Sequence, residues 1–120
     1  MNKMKFKRSH RVSELIKREV STIISFVIKD PLLKTVNITF VKVSDDLKHA
    51  KIYYRVIGDE QTKENALKGL ERAKKFIRSE IGQRTELRYV PEIQFFYDTG
   101  IDAAAHIDLL LKQIKNSDTS

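Results

Sequence analysis

Lys68, Arg72, Lys75 and Arg78 recur three and four residues apart within Ala66 to Arg88, the spacing that lines side chains up along one side of an α-helix. Cations fixed on a rigid element are suited to replacing the counterions of a phosphate backbone, because ordering them on binding costs little. Arginine adds a planar fork that bridges two phosphate oxygens or stacks on a base. Lys74 lies beside this row, and Arg84 and Arg88 carry positive charge past it. At about 100° per residue, Ala66, Leu70, Ala73, Ile77 and Ile81 fall on the opposite side from Lys68, Arg72 and Lys75. One face is therefore built for a core and the other for anions. The competing arrangement is that Glu64, Glu71 and Glu80 pair with these cations at helical spacing and neutralise the surface. Residues 63–88 hold eight Lys/Arg against four Glu, too many cations for complete local pairing.

Other chemistries find less support. His10, His49 and His106 are scattered without a metal-ligand spacing, and the chain has neither a Gly-rich phosphate loop nor a nucleophile elbow. Asp45 and Asp46 are adjacent carboxylates between two strand-like runs, which suits a turn better than acid–base work. With no cysteine there is no disulfide, thiolate nucleophile or cysteine metal site, a composition that fits the cytoplasm. No enzyme activity, cofactor, metal or small-molecule substrate is expected. Tyr53, Tyr54, Phe95, Phe96 and Tyr97 raise the prospect of base stacking on a sheet, but their strands lack the aromatic RNP-type motif of an RRM. Most are expected in the core, since helices need a sheet face to pack on.

The charge is unevenly spread. The 120 residues carry 23 Lys+Arg against 16 Asp+Glu, a formal net charge of +7, and a pI near 9.7. Residues 1–20 hold seven Lys/Arg and two Glu, whereas residues 98–120 hold four Asp and two Lys. A basic excess confined to two segments resembles an electrostatic footprint for nucleic acid. Lys7, Arg8, Arg11 and Arg18 make a second basic edge, which with Lys3 and Lys5 either tracks a neighbouring phosphate run or is a solvated tail. No apolar run approaches the roughly 18 residues of a membrane span, and the basic N-terminus leads into an amphipathic pattern rather than a signal peptide.

The elements that must position these residues follow from periodicity. Val12, Leu15, Ile16, Val20, Ile23 and Val27 space a first helix over Arg8 to Ile28, with Ser9 as N-cap and Asp30-Pro31 as its stop. Val36 to Val43 reads as a strand whose alternation slips at Phe40-Val41, through a bulge or burial on both faces. Ser44-Asp45-Asp46 turns into a strand over Ala50 to Val56, and the short connection makes the pair an antiparallel hairpin. The basic helix follows, with Gly69 as a weak point and Gly82 as its left-handed closing residue. Glu92 to Tyr97 forms a third strand after Pro91. Asp98-Thr99 leads into a last helix with Ile101, Ala104, Ile107, Leu111 and Ile114 as its stripe. One domain over residues 1–120 is expected, with 1–7 and 116–120 as loose ends.

Four segments resemble the ribosome-binding factor A family of bacterial small-subunit maturation factors. They are Lys-Asp-Pro at 29–31, Val-Ser-Asp-Asp-Leu-Lys-His-Ala-Lys-Ile-Tyr at 43–53, Ala-Lys-Lys-Phe-Ile-Arg-Ser-Glu-Ile-Gly at 73–82 and Leu-Arg-Tyr-Val-Pro-Glu-Ile-Gln-Phe at 87–95. The similarity runs in order from about Arg8 to Leu111. It implies an α+β, type II KH-like fold, αββααβ, with a three-stranded sheet packed by helices and a further C-terminal helix. It also implies a cytoplasmic factor that binds free or immature 30S subunits and assists late 16S rRNA processing without catalysing it, in a family associated with cold shock. Relatives carry an Ala-x-Gly interhelical kink where this chain has Ala73-Lys74-Lys75. Without the glycine this joint is either straighter or bent with Lys75 under strain. After Asp30-Pro31 the chain reads Leu-Leu-Lys, where relatives often place an arginine directly.

The resulting expectation is RNA binding by Lys7, Arg8, Arg11, Arg18, Lys68, Arg72, Lys74, Lys75, Arg78, Arg84 and Arg88, with the small subunit and its 16S rRNA as partner and monomer as the default state. Without Gly-x-x-Gly, folded RNA shape rather than a clamped single strand is the expected target. The rivals are a general structured-RNA module and a protein-interaction adaptor.

Overall fold

The apolar spacing of residues 8–28 produces helix α1, Arg8–Thr22, which buries Val12, Ile16 and Val20 against the sheet. The computed structural model describes residues 8–100 of the chain; the expected final helix, Lys7 and both chain ends lie outside them. The expected α-helix to Ile28 stops short. Ile23–Val27 is one wider π-helical turn, closed by the Ile28 N–H donating to Ile23 O at 2.9 Å. Its residues Ile23 and Ile24 stay in the core while Phe26 is 80% exposed. A π-turn inserts one extra residue, which here carries a β-branched run past the end of the apolar stripe. Ser9 is not the N-cap but a buried residue inside the helix. One turn on, the Ser13 hydroxyl donates to Ser9 O at 2.7 Å and accepts the Val43 N–H at 2.9 Å, tying α1 to the end of the first strand.

Asp30 is extended, as a residue before proline must be, and its carboxylate accepts the Leu32 N–H at 3.0 Å to cap the short 3₁₀ turn Pro31–Leu33. Strand β1, Val36–Val43, pairs antiparallel with β2, His49–Val56, and the register shifts between Ile38 and Phe40. The alternation slip is thus a bulge at Thr39: Ile38 and Val41 both point inward with two residues between them. At the hairpin Asp46 accepts from the Ser44 hydroxyl and the Lys48 N–H, and Leu47 takes the positive φ of 64°. Strand β3, Glu92–Tyr97, lies parallel to β2 from His49↔Glu92 to Tyr54↔Tyr97, giving the order β1-β2-β3. A parallel neighbour requires a crossover, and helix α2, Glu60–Arg84, supplies it.

Asp59 caps α2 by accepting the Thr62 N–H at 2.9 Å and its hydroxyl at 2.8 Å. Ala66, Leu70, Ile77 and Ile81 are fully buried on one face. Two expectations about α2 are corrected. First, Ala73, Lys74 and Lys75 are α-helical and α2 runs from Glu60 to Arg84 as one helix, where αββααβ has two. Lysine is a good helix former, and the inward stripe runs unbroken from Ala66 to Ile81, so nothing there favours a break. Second, Gly82 is helical and the cap is Thr85, whose N–H and hydroxyl both donate to Ile81 O. Gly69 has a positional reason: a Cβ there would stand 3.0 Å from Leu33 Cδ2 and 3.2 Å from Leu32 Cβ. The missing side chain lets the 3₁₀ turn sit directly on the helix.

Both helices cover one sheet face, whose inward residues Ile38, Val41, Ala50, Ile52, Tyr54, Val56, Ile93 and Phe95 share a core with Ile16, Leu70 and Ile77. Alternation sends Tyr53 and Phe96 to the other face. No helix among the described residues is long and apolar enough to cross a membrane.

Candidate nucleic-acid interface

Helix α2 divides the expected cations by flank. Lys68, Arg72 and Lys75 stand on its outer face and are exposed. Lys68 and Lys75 have no ion-pair partner among the described residues, and Arg72 has a loose one, its Nη2 lying 3.9 Å from Asp30 Oδ2 with the arginine side chain 69% exposed. An exposed pair at that distance contributes little and leaves the guanidinium available.

Arg78, assigned by spacing to the same row, is engaged within the fold. Its Nε donates to Pro91 O at 3.0 Å and its Nη2 to Val90 O at 2.7 Å, while Nη1 lies 3.4 Å from Glu92. All three partners sit where the chain enters β3. Lys74 pairs with Glu71 at 2.9 Å and Arg84 with Glu80 at 3.0 Å. The glutamates therefore neutralise the flank and the end of α2, and among the described residues Lys68 and Lys75 have no ion-pair partner. Arg88 is exposed in the connection to β3, and Arg8, Arg11 and Arg18 are exposed on α1. Lys63, half-buried, pairs with Glu60 and lies 4.0 Å above the Tyr97 ring.

Beside the row, α2 leaves an open groove of about 370 Å³ against the π-turn and its exit, lined by Val27, Ile28, Lys29, Asp30, Gly69, Arg72, Ala73 and Phe76. Phe76 is 45% exposed. Periodicity gives a signal for it, since Phe76 is a large aromatic outside the inward stripe and one turn from Arg72. Lys29 has no such signal, because its approach to α2 depends on the fold of the π-turn.

The second sheet face carries an aromatic row of Phe40, Tyr53 and Phe96, with ring centroids 5.6 and 5.7 Å apart, and Lys51 Nζ 5.8 Å from the Phe96 centroid. Tyr53 is only 5% exposed, so this row is no open platform for bases. Tyr54 and Phe95 are core residues, as expected.

The aspartates whose titration shifts are held ionised. Hydrogen bonds from Ser44 and Lys48 lower Asp46, those from Thr62 lower Asp59, and the Thr39 hydroxyl, the Gly100 N–H and Arg55 lower Asp98 against the opposing effect of burial. A general acid at neutral pH needs the opposite shift. Among the described residues no cluster of three or more His, Cys, Asp or Glu could hold a metal ion.

A family model described as ribosome-binding factor A matches residues 8–111. The chain belongs to that family. A ribosome-binding factor A of Desulfitobacterium hafniense is 47% identical over 111 residues, covering 92% of this chain and 89% of the relative. The crystal structure of ribosome-binding factor A from Thermus thermophilus superposes with a TM-score of 0.66 at 24% identity, covering 74% of this chain and 93% of that one. A homology model of the Thermus thermophilus factor, fitted into the cryo-EM map of a complex with the 30S subunit, gives a TM-score of 0.66 at 23% identity over 78% of this chain and 98% of that one. The fold is accordingly the family's α+β, KH-like one, built here with a single long helix between β2 and β3.

Proposed function

We propose that this protein is a ribosome-binding factor that docks on free and immature 30S subunits and assists late maturation and processing of their 16S rRNA. It acts by binding rather than catalysis, as a monomer in the cytoplasm. The observation that carries this reading is the exposed row of Lys68, Arg72 and Lys75 on the outer face of a continuous helix, within a chain of net charge +7. The helix holds three cations in fixed register, which suits the shape and phosphate spacing of folded RNA. Family membership and the placement of the Thermus thermophilus factor in a 30S complex support the small subunit as the particle. Arg8, Arg11 and Arg18 on α1 form a second phosphate track and Arg88 extends the main one, while Arg84, already paired with Glu80, contributes less. Lys74 plays a lesser part because Glu71 already pairs with it, and Arg78 serves by fixing the start of β3.

Neutralising Lys68 and Lys75 together tests the reading. Lys68→Ala with Lys75→Ala is expected to weaken 30S binding at every salt concentration and to lower the slope of log affinity against log salt by about two, one for each lost phosphate contact. Thermal stability should be unchanged. A folded double variant with wild-type affinity and slope would remove this face from the interface.

A further inference from the structure

The groove beside the basic row has features that phosphate binding alone does not explain. Gly69 draws the 3₁₀ turn onto α2, yet one turn further along the helix the chain at Val27 to Asp30 stands off and leaves the floor open. That floor is apolar, made by Val27, Ile28 and Ala73, and Phe76, a residue 45% exposed, lines one side. Cations stand at the rim: Lys29 and Arg72 line it, and Lys68 and Lys75 lie on the adjoining face of α2. The wall also holds the carboxylate of Asp30, one oxygen accepting the Leu32 N–H and the other facing Arg72 at 3.9 Å. A carboxylate repels phosphate from the groove itself but accepts hydrogen bonds from the amino and imino groups on base edges. Phosphates therefore belong at the rim, and something planar, apolar and edge-donating belongs inside.

We infer that this groove is a base slot, in which one unstacked RNA base lies against the Phe76 ring while its flanking phosphates rest on Arg72, Lys68 and Lys75. The inference rests on the RNA-binding reading above and names a ligand group for that site. Stacking of a base on an exposed aromatic side chain is tolerant of sequence and strengthens RNA binding about tenfold or more. The slot thus selects unpaired nucleotides within folded RNA, where the cation row alone selects only negative charge.

The chain has no tryptophan, so Phe76→Trp introduces a single fluorescent reporter at the slot. Its emission is to be followed while a labelled RNA hairpin with an unpaired loop is added, and then the same hairpin with an abasic loop. The expected result is quenching by the first hairpin and little by the second. Phe76→Leu should reduce affinity for the first hairpin about tenfold with the salt slope unchanged, and its melting temperature shows whether the fold is intact. Salt-sensitive binding without quenching, or with full affinity in Phe76→Leu, overturns the base slot and leaves the RNA-binding reading standing. Failure of either hairpin to bind at low salt counts against that reading, and the slot falls with it. A reporter that responds to an acidic apolar peptide and not to RNA reassigns the groove to a protein partner.

Discussion

The guanidinium of Arg78 joins α2 to the first residues of β3 through two main-chain carbonyls and Glu92. Removing it leaves Val90 O and Pro91 O without these donors, so Arg78→Ala is expected to cost about 1–2 kcal/mol of stability. Arg78→Lys should recover little of that, because an ammonium cannot span both carbonyls as the planar fork does. Thermal unfolding of the two variants checks this, and 30S affinity measured where both are folded should stay close to wild type. An unchanged melting temperature with lost binding would return Arg78 to the interface. Spacing could not have distinguished Arg78 from Arg72: both lie on the helix surface, and the partners of Arg78 are 12 and 13 residues downstream. Their position depends on where β3 begins, a tertiary fact. Lys68, Arg72 and Lys75 were legible because helical geometry alone puts them opposite Ala66, Leu70 and Ile77.

At the scale of elements, α2 is the member on which the site depends, and its continuity through Ala73-Lys74-Lys75 keeps the cation row in register. Lys75→Ala and Lys75→Gly both remove the charge, so the difference between them isolates the backbone. In an unstrained continuous helix the glycine variant should be about 1 kcal/mol less stable than the alanine variant, a difference of roughly 4–8 °C in melting temperature for a small domain. Equal or greater stability of Lys75→Gly would mean that the helix is under strain at that joint. The elements themselves were largely readable from residue period: β1, β3 and the hairpin fell where alternation put them, and the bulge was signalled by the slip at Phe40-Val41. The element ends were less so. Local rules favoured Gly82 as the closing residue of α2 and Ser9 as the cap of α1, whereas tertiary packing carries α2 past Gly82 and buries Ser9 within α1. Nothing local reveals that β3 lies parallel beside β2, because that pairing is set by the crossover.

At the scale of the molecule, net charge and its placement decide how the protein meets its partner. Charge alone would attract it to any RNA-containing particle, with affinity falling steeply as salt rises. The proposed function asks for more, since the row on α2, the cations of α1 and the groove at Phe76 must match one folded surface together. Co-sedimentation with purified 30S subunits, 50S subunits and 70S ribosomes at two salt concentrations therefore bears most directly on the central claim. Binding confined to free 30S subunits, weaker at the higher salt, is the expected result. Equal binding to all three particles would contradict it and reduce the protein to a general RNA-binding module, and salt-independent binding would contradict the role of the cation row.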